Sequence, residues 1–357
     1  MKTLTRYLIS NLLSLLILFE ASFIFLYLII DLIAKMDNFL LERLPVELIL
    51  SYTVAKIPTA SVQVAPVATL LASSVLLLSM VKKNELIALR SVGISSLHIK
   101  VPIIVFGLIM AWLSLIVGEF IAPSSLMKAQ RIWGEHVKRK DAKKGIVRDR
   151  VWLKKEGIVF YCDRFIEDMS TVEKPLIIFV NSNFQVYKQI FASRALWQGH
   201  IWHLEKGYEQ IIETDGEIIT KDFQLETLQI PVTLEDLKVS SVDPSSMNLF
   251  ELKRFADKVS KSGYDATGYL VEVHTKLSMP FIHIIMALIG SSIPLIIRRP
   301  NYPKVISVAM LLCFVYLAFY GIFRSIALSN LLQAPIAMWF PNFIFLILGY
   351  LLNNLEV

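Results

Sequence analysis

Long apolar runs alternate with short polar connections along the chain, and one long polar interval divides the runs into two groups of three. A hydrocarbon core of about 30 Å needs about 20 residues of helix. Six runs reach that length, at residues 7–33, 54–81, 99–122, 270–297, 305–328 and 334–352. Within the interval the period changes. Short wholly apolar or period-two runs at 151–153, 158–162, 176–180, 184–186, 201–204 and 223–228 are broken by Gly157, Asn181, Gly199, Gly207 and Asp215-Gly216, which predicts β-strands. Asp-Gly suits a hairpin, and many short strands so spaced suggest a sandwich or jelly roll. A helix is expected over 246–262, with Ser246 as N-cap, Leu249, Leu252, Phe255 and Val259 on one side and Gly263 as the stop.

The predicted fold class is a polytopic α-helical membrane protein: six transmembrane helices with a periplasmic β jelly-roll-like domain inserted between the third and fourth. The expected division is 1–135 for the first three spans, 136–245 for the β domain, and 246–357 for a connecting helix and the last three spans. Composition agrees. Of 357 residues, 55% are hydrophobic and only 18% charged, too apolar for an ordinary soluble protein. The first run is too long for the apolar core of a cleaved signal and reads as a retained span.

Basic residues in short loops set the orientation. Lys2 and Arg6, then Lys82, Lys83, Arg90, His98 and Lys100, then Arg298, Arg299 and Lys304 fall on one side, opposite a connection carrying Asp37, Glu42 and Glu47 against Lys35 and Arg43. Both termini are then cytoplasmic, and in a bacterium the chain is an inner-membrane protein with its large domain in the periplasm. Cys162 falls in that domain and Cys313 in a span, so neither a disulfide nor a metal framework is expected.

The stretch 82–100 interrupts two very apolar segments. Helix formers from Asn84 to Arg90, apolar positions at Leu86, Ile87, Leu89 and Ile94, and Gly93 as terminator predict a helix of one to two turns. So short a helix is marginal alone and is expected to be held by its flanking spans and by something that packs on it.

Ionisable residues inside spans are costly and usually face a cavity or a partner. Glu20 is mid-span and is expected to be uncharged or paired within the bundle. Asp31 lies near the end of the first span, and Lys56 and Gln63 share a face of the second. For Lys35, Lys56 and Arg324, snorkelling to the headgroups is an equal alternative. Beyond the third span, Lys128, Arg131, Lys138, Arg139 and Lys140 could bind an anionic headgroup or a phosphorylated sugar, or simply form a solvated face. Lys128 and Arg131, three apart and nearest the membrane, are the preferred pair. Aromatic residues Phe23, Phe25, Phe314, Phe319 and Phe323 supply apolar walls.

No phosphate loop, H-E-x-x-H, G-x-S-x-G or Cys/His ligand spacing occurs. His200 and His203 lie in a predicted strand beside Trp197 and Trp202, and His274 and His283 are expected to be packing residues of the fourth span. An enzyme is not indicated. A self-sufficient secondary transporter remains open through Glu20, His283 and the Pro58/Pro66 span, as does a scaffold without cargo.

Several stretches resemble one family. The run Asn84-Glu85-Leu86-Ile87-Ala88-Leu89-Arg90-Ser91-Val92-Gly93-Ile94-Ser95 is similar to the ELIAxRxxGxS segment of the LptF/LptG permeases, the transmembrane subunits of the bacterial lipopolysaccharide exporter. Gly118-Glu119-Phe120-Ile121-Ala122-Pro123 resembles the end of that family's third span, Lys276-Leu277-Ser278-Met279-Pro280 its fourth, and Trp339-Phe340-Pro341-Asn342 the entry to its last. Val151-Trp152-Leu153 with Ile158-Val159-Phe160-Tyr161, Ala192-Ser193-Arg194-Ala195 with Trp202-His203-Leu204, and Asp243-Pro244 resemble LptG more than LptF.

The resemblance implies a pseudo-symmetric pair with an LptF-like permease and a cavity between the two that admits lipopolysaccharide. It further implies an LptB-like cytoplasmic ATPase dimer that holds the ATP, an LptA-like periplasmic bridge and an LptC-like single-span protein. No cofactor of the chain's own and no nucleic acid are implied. Glu85, Leu86, Leu89, Arg90 and Ile94 become the coupling residues, with Glu85 meeting a basic or hydrogen-bonding group and the apolar three filling a groove of the ATPase. Lys35, Lys128, Arg131, Arg324, Phe25 and Phe319 become the lipid contacts. In LptG relatives basic residues near the outer end of the first span and beyond the third meet the lipid's phosphates. Here Ala34 falls at the first of these positions beside Lys35, and Gln130 and Trp133 fall near the others beside Lys128 and Arg131.

Overall fold

In the computed structural model of the chain, the described residues are 2–134, 147–155, 157–166, 170–181, 185–198, 201–212, 218–234, 236–237, 244, 247–261 and 265–355. Phe184, Gly199, His200, the Asp215-Gly216 turn, Ser246, Gly263, Asp243 and the basic run Lys138-Arg139-Lys140 lie outside them. Two compact units divide the chain, one formed by Met1–Trp133 with Pro244–Val357 and the other by Gly134–Asp243.

The first unit is helical. Its opening helix α1 (Lys2–Leu41) precedes α2 (Val46–Lys82), the short α3 (Glu85–Ser91) and α4 (Ser96–Ile116). A π turn (Val117–Ile121) then runs into α5 (Ala122–Ile132). After the strands come α6 (Leu249–Lys261), α7 (Thr267–Ser278), a 3₁₀ turn (Met279–Phe281), α8 (Ile282–Ile296), α9 (Tyr302–Leu328) and α10 (Ala334–Asn354). Among the described residues, six helical segments are long and apolar enough to cross a bilayer: Thr3–Leu41, Val46–Lys82, His98–Ile132, Thr267–Ile296, Tyr302–Leu328 and Ala334–Asn354. The first is longer than expected because Asp31 and Lys35, four residues apart, pair along one face and do not interrupt the helix. The fourth is broken where Pro280 withholds a backbone N–H.

The core of this unit lies around α2 and α8. Leu70, Leu71 and Leu78 of α2 join Ile285, Met286, Ile289 and Ile293 of α8 with Tyr316 of α9 and Phe345 of α10. A second cluster gathers Leu8, Leu12 and Leu16 of α1 with Leu76, Leu77 and Met80 of α2 and Ile99, Ile103 and Phe106 of α4. Gly290 permits the α2–α8 approach, since a Cβ there would lie 2.0 Å from Ser73 Oγ and 2.6 Å from the Leu70 carbonyl oxygen.

Among its described residues, the second unit holds an antiparallel sheet of six strands in sequence order: β1 (Val147–Lys155), β2 (Ile158–Ile166), β3 (Thr171–Val180), β4 (Val186–Gln198), β5 (Ile201–Ile212) and β6 (Ile218–Leu228). Among the described residues, the expected jelly-roll-like domain takes the form of this single meander. Alternation puts Ile158, Phe160 and Cys162 of β2 inward, against Ile177, Ile190, Trp202 and Leu204. The fourth strand runs well past the expected 184–186 because Ala192 and Ala195, both fully buried, are too small to extend an apolar run in the sequence. Trp202 donates its indole N–H to the Val232 carbonyl at 2.8 Å. Burial pushes the Cys162 thiol up to about 12, which leaves it little thiolate character; both cysteines are free.

Candidate functional site

Among the described residues of the helical unit, polar side chains gather at several places, three of which bear on the sequence candidates. The first lies toward the Leu41 end of α1, where Asp31 and Lys35 face Tyr52 and Lys56, themselves four apart on α2. Lys35 Nζ is 2.7 Å and Lys56 Nζ 2.8 Å from the same Asp31 Oδ1, while the Tyr52 hydroxyl donates to Asp31 Oδ2 at 3.1 Å. Lys35 also donates to the Tyr52 hydroxyl. The rings of Tyr52 and Trp133 lie 4.9 and 5.2 Å from Lys35 Nζ, and Phe39 closes the box edge-on to both. Two ammonium groups share one carboxylate, so the box carries one positive charge in excess inside an aromatic wall that favours cations. Lys35 and Lys56 are thus both paired with one carboxylate near the end of the first span. Tyr52 and Trp133 are members that composition did not single out, although Trp133 falls where the resemblance placed a lipid contact.

The remaining lipid-contact candidates are dispersed. Lys128 and Arg131 are exposed on α5. Arg324 pairs with Glu272 at 2.9 Å and is 47% exposed. Phe25 is 67% exposed on α1, whereas Phe319 packs on Phe323 and Phe345.

The second place is the break in the fourth span, where three of the family-like stretches meet. Asn342 of α10 donates to the Ser278 carbonyl at 2.8 Å and accepts from the Tyr316 hydroxyl at 2.5 Å, satisfying backbone that the Pro280 break disturbs. Lys276 Nζ lies 3.4 Å from Glu119 Oε1. The Glu119 carboxylate also accepts the backbone N–H of Leu249 at the start of α6. A cavity of about 380 Å³ adjoins this junction, lined by Gln63, Pro66, Glu119, Glu272, Lys276 and Met279 among others. Glu119 and Lys276 are ionisable residues within apolar runs, and that signal could have marked them from the sequence.

The two groups that favoured a proton relay are not joined by a hydrogen bond among the described residues. Glu20 accepts from Ser61 Oγ at 2.5 Å. His283 is fully buried, with Nδ1 3.0 Å from Thr69 Oγ1.

The third place is α3. Asn84 enters it at φ 59° and Gly93 leaves it at φ 86°, the left-handed geometry that terminates helices. Leu86 is 6% exposed and belongs to the core with Leu8 and Leu12, and Leu89 packs on the same cluster. Groove filling is therefore corrected for Leu86 alone, which the bundle already covers; Leu89 is half-buried, and the bundle supplies the core that the short helix lacks alone. Ile94 is half-buried. The large apolar side chains left outward are Ile87 and Val92, 64% and 81% exposed. Glu85 accepts from the Tyr7 hydroxyl at 3.0 Å, and Arg90 donates to Ser96 Oγ at 2.9 Å. Just beyond, the buried Lys100 donates to Asn353 Oδ1 at 2.7 Å and to Ser292 Oγ at 3.2 Å, tying α4 to α10 and α8.

The LptG permease protein of Escherichia coli K12, described as part of the lipopolysaccharide export system, is 20% identical over 248 residues, covering 68% of this chain and 67% of its own. Its counterpart in Haemophilus influenzae is 22% identical over 234 residues, 64% of this chain and 63% of its own. Both relatives carry the LptG name, in agreement with the greater likeness to LptG. Residues 6–354 match the sequence model of the lipopolysaccharide export system permease LptF/LptG, a match that takes in both triplets of spans and the strands between, and the chain belongs to that family.

Proposed function

We propose that the chain is the LptG-type permease subunit of an ATP-driven exporter that takes lipopolysaccharide from the bacterial inner membrane and passes it to a periplasmic bridge. Its termini and α3 face the cytoplasm and the strand-rich unit faces the periplasm, as the basic loops require. The observation that carries the reading is the first span. Only 6% of its most apolar stretch is buried, and the same helix ends in the excess-cation box around Asp31. An apolar wall that ends in caged ammonium groups suits an amphiphile with phosphates on its head. An LptF-like paralogue would face this wall across the lipid cavity. Lys128, Arg131 and Arg324 would add cations at the rim, with Phe25 and Phe319 along the wall.

Power comes from a partner. An LptB-like ATPase dimer holds the ATP and docks on α3, where Glu85 with Arg90 and Ile94 offer polar and half-buried contacts and Ile87 and Val92 the exposed apolar ones; Leu86 and Leu89 transmit its motion inward. LptA-like and LptC-like proteins receive the lipid. Photo-crosslinkers at residues 25, 35, 128, 131, 319 and 324 in the assembled exporter should capture lipopolysaccharide, and their uniform silence would sink the cargo. Glu85→Arg should abolish ATPase association and transport; an unchanged complex would refute the docking site. Copurification separates the alternative, because a secondary transporter would purify without an ATPase.

A further inference from the structure

We propose that Glu119 is a positioning residue for lipid movement: a latch that fastens the start of α6 to the third and fourth spans and releases when the π turn beside it rewinds. The inference rests on the export reading. Glu119 joins three segments distant in sequence. Its Oε1 faces Lys276 of α7 at 3.4 Å, with both side chains 12% exposed, and its other oxygen accepts the Leu249 amide. That amide is among the first of α6, which the helix cannot satisfy internally and which favours a carboxylate.

The latch is built where the helix can change register. Glu119 lies in the π turn Val117–Ile121, a winding that is rare and recurs at functional places in helices. Rewinding that turn to α shifts the register by one residue, a rotation of about 100°, which would swing Glu119 away from Lys276 and Leu249 together. Room exists on that side. The cavity of about 380 Å³ borders Gly118, Glu119 and Lys276, and a Cβ at Gly118 would reach Val62 only at 3.8 Å, so the face is not jammed. Lys276 would not be stranded either. Glu272, whose Oε2 holds Arg324, lies four residues before it on α7 and lines the same cavity, a spacing at which its carboxylate can also meet the Lys276 ammonium on one helix face. Because α6 precedes the fourth span in the chain, releasing its start loosens the entry to that span.

Spin labels at Met127 and Phe250, 50% and 80% exposed, would report the α5–α6 distance in the full exporter in lipid nanodiscs. The wild type should give one narrow distance without nucleotide and a second with ATP and vanadate. Glu119→Ala should give a broad distribution indifferent to nucleotide, with lipid release about tenfold lower from loss of a charge-assisted hydrogen bond and ATP hydrolysis retained. Glu119→Gln keeps an acceptor for Leu249 and should fall between, which separates the latch from misfolding. Wild-type distances or wild-type release in Glu119→Ala would overturn the inference, as would equal losses of hydrolysis and release. If the wild-type exporter moves no lipid with ATP, the export reading fails, while the distances still judge the latch.

Discussion

The second and fourth spans and the first and fifth are similarly apolar, yet they are used in opposite ways. Of the most apolar stretches, 72% of the second and 67% of the fourth are buried, against 6% of the first and 28% of the fifth. Where the buried pair meets, small and hydroxylated residues take part: Ser73 and Ser74 of α2 lie at Gly290 of α8, and Thr69 meets His283, all buried. Lipid supplies no hydrophobic force between helices, so close backbone approach and hydrogen bonds must hold them. The exposed pair instead shows large side chains, with Leu18, Phe25 and Ile30 on α1 and Leu311, Phe314 and Ile322 on α9. One pair is finished within the chain, and the other presents surface to something outside it.

The hardest way to break this contrast is at the seam. Gly290→Val places atoms within 2.0 Å of Ser73 Oγ and 2.6 Å of the Leu70 carbonyl, and the backbone oxygen cannot move aside. A loss of about 3 kcal/mol, at the top of the overpacking range, is expected, read as reversible unfolding in detergent. Undiminished stability would mean that α2 and α8 are not held by close approach.

Next is the polar bridge at the fourth-span break. Asn342→Leu removes the acceptor of the buried Tyr316 hydroxyl and the donor to the Ser278 carbonyl. Two buried groups left without partners predict a loss of about 2–3 kcal/mol. Tyr316→Phe in the same background should recover part of it, since it removes one orphan; no recovery would count against the bridge.

The seam and the bridge were legible in the sequence to different degrees. Span number and order followed from length and apolarity alone, as did the strands that carry bulky alternating residues. What escaped notice was anything decided by contact. Gly290 looks like any glycine until Leu70 is opposite it, and Glu119 and Lys276, far apart in the chain, declare no pairing in their own stretches. Asp31 was visible as a charge in a span, but its hold on both Lys35 and Lys56 depends on how α1 and α2 meet. That Leu86 turns inward while Ile87 stays exposed is likewise decided by contact, because periodicity over seven residues cannot say which apolar side chains the bundle will cover.

A smaller effect tests the cation box on the exposed side of the contrast. Asp31→Asn removes the charge shared by Lys35 and Lys56 while keeping the shape. With the carboxylate 18% exposed, a loss of about 1 kcal/mol is expected, shrinking as salt is added because freed cations repel less when screened. A loss independent of salt would mean that the box is held by its aromatic packing.

The smallest expected effect is the sharpest for the exposed spans. Phe314 on α9 is 70% exposed and Phe25 on α1 67%, so truncating either to Ala removes little packing within the chain. Stability of the isolated permease should stay within about 0.5 kcal/mol of wild type. If these faces are contact surfaces, the same substitutions should still weaken capture of the paralogous permease or crosslinking of lipid in the assembled exporter. The two measurements must part company: falling together would place Phe25 and Phe314 in the chain's own core, and staying together at wild-type values would leave the faces as ordinary lipid-covered surface. Only unchanged stability with impaired assembly or cargo contact fits a helix whose partner lies outside the chain.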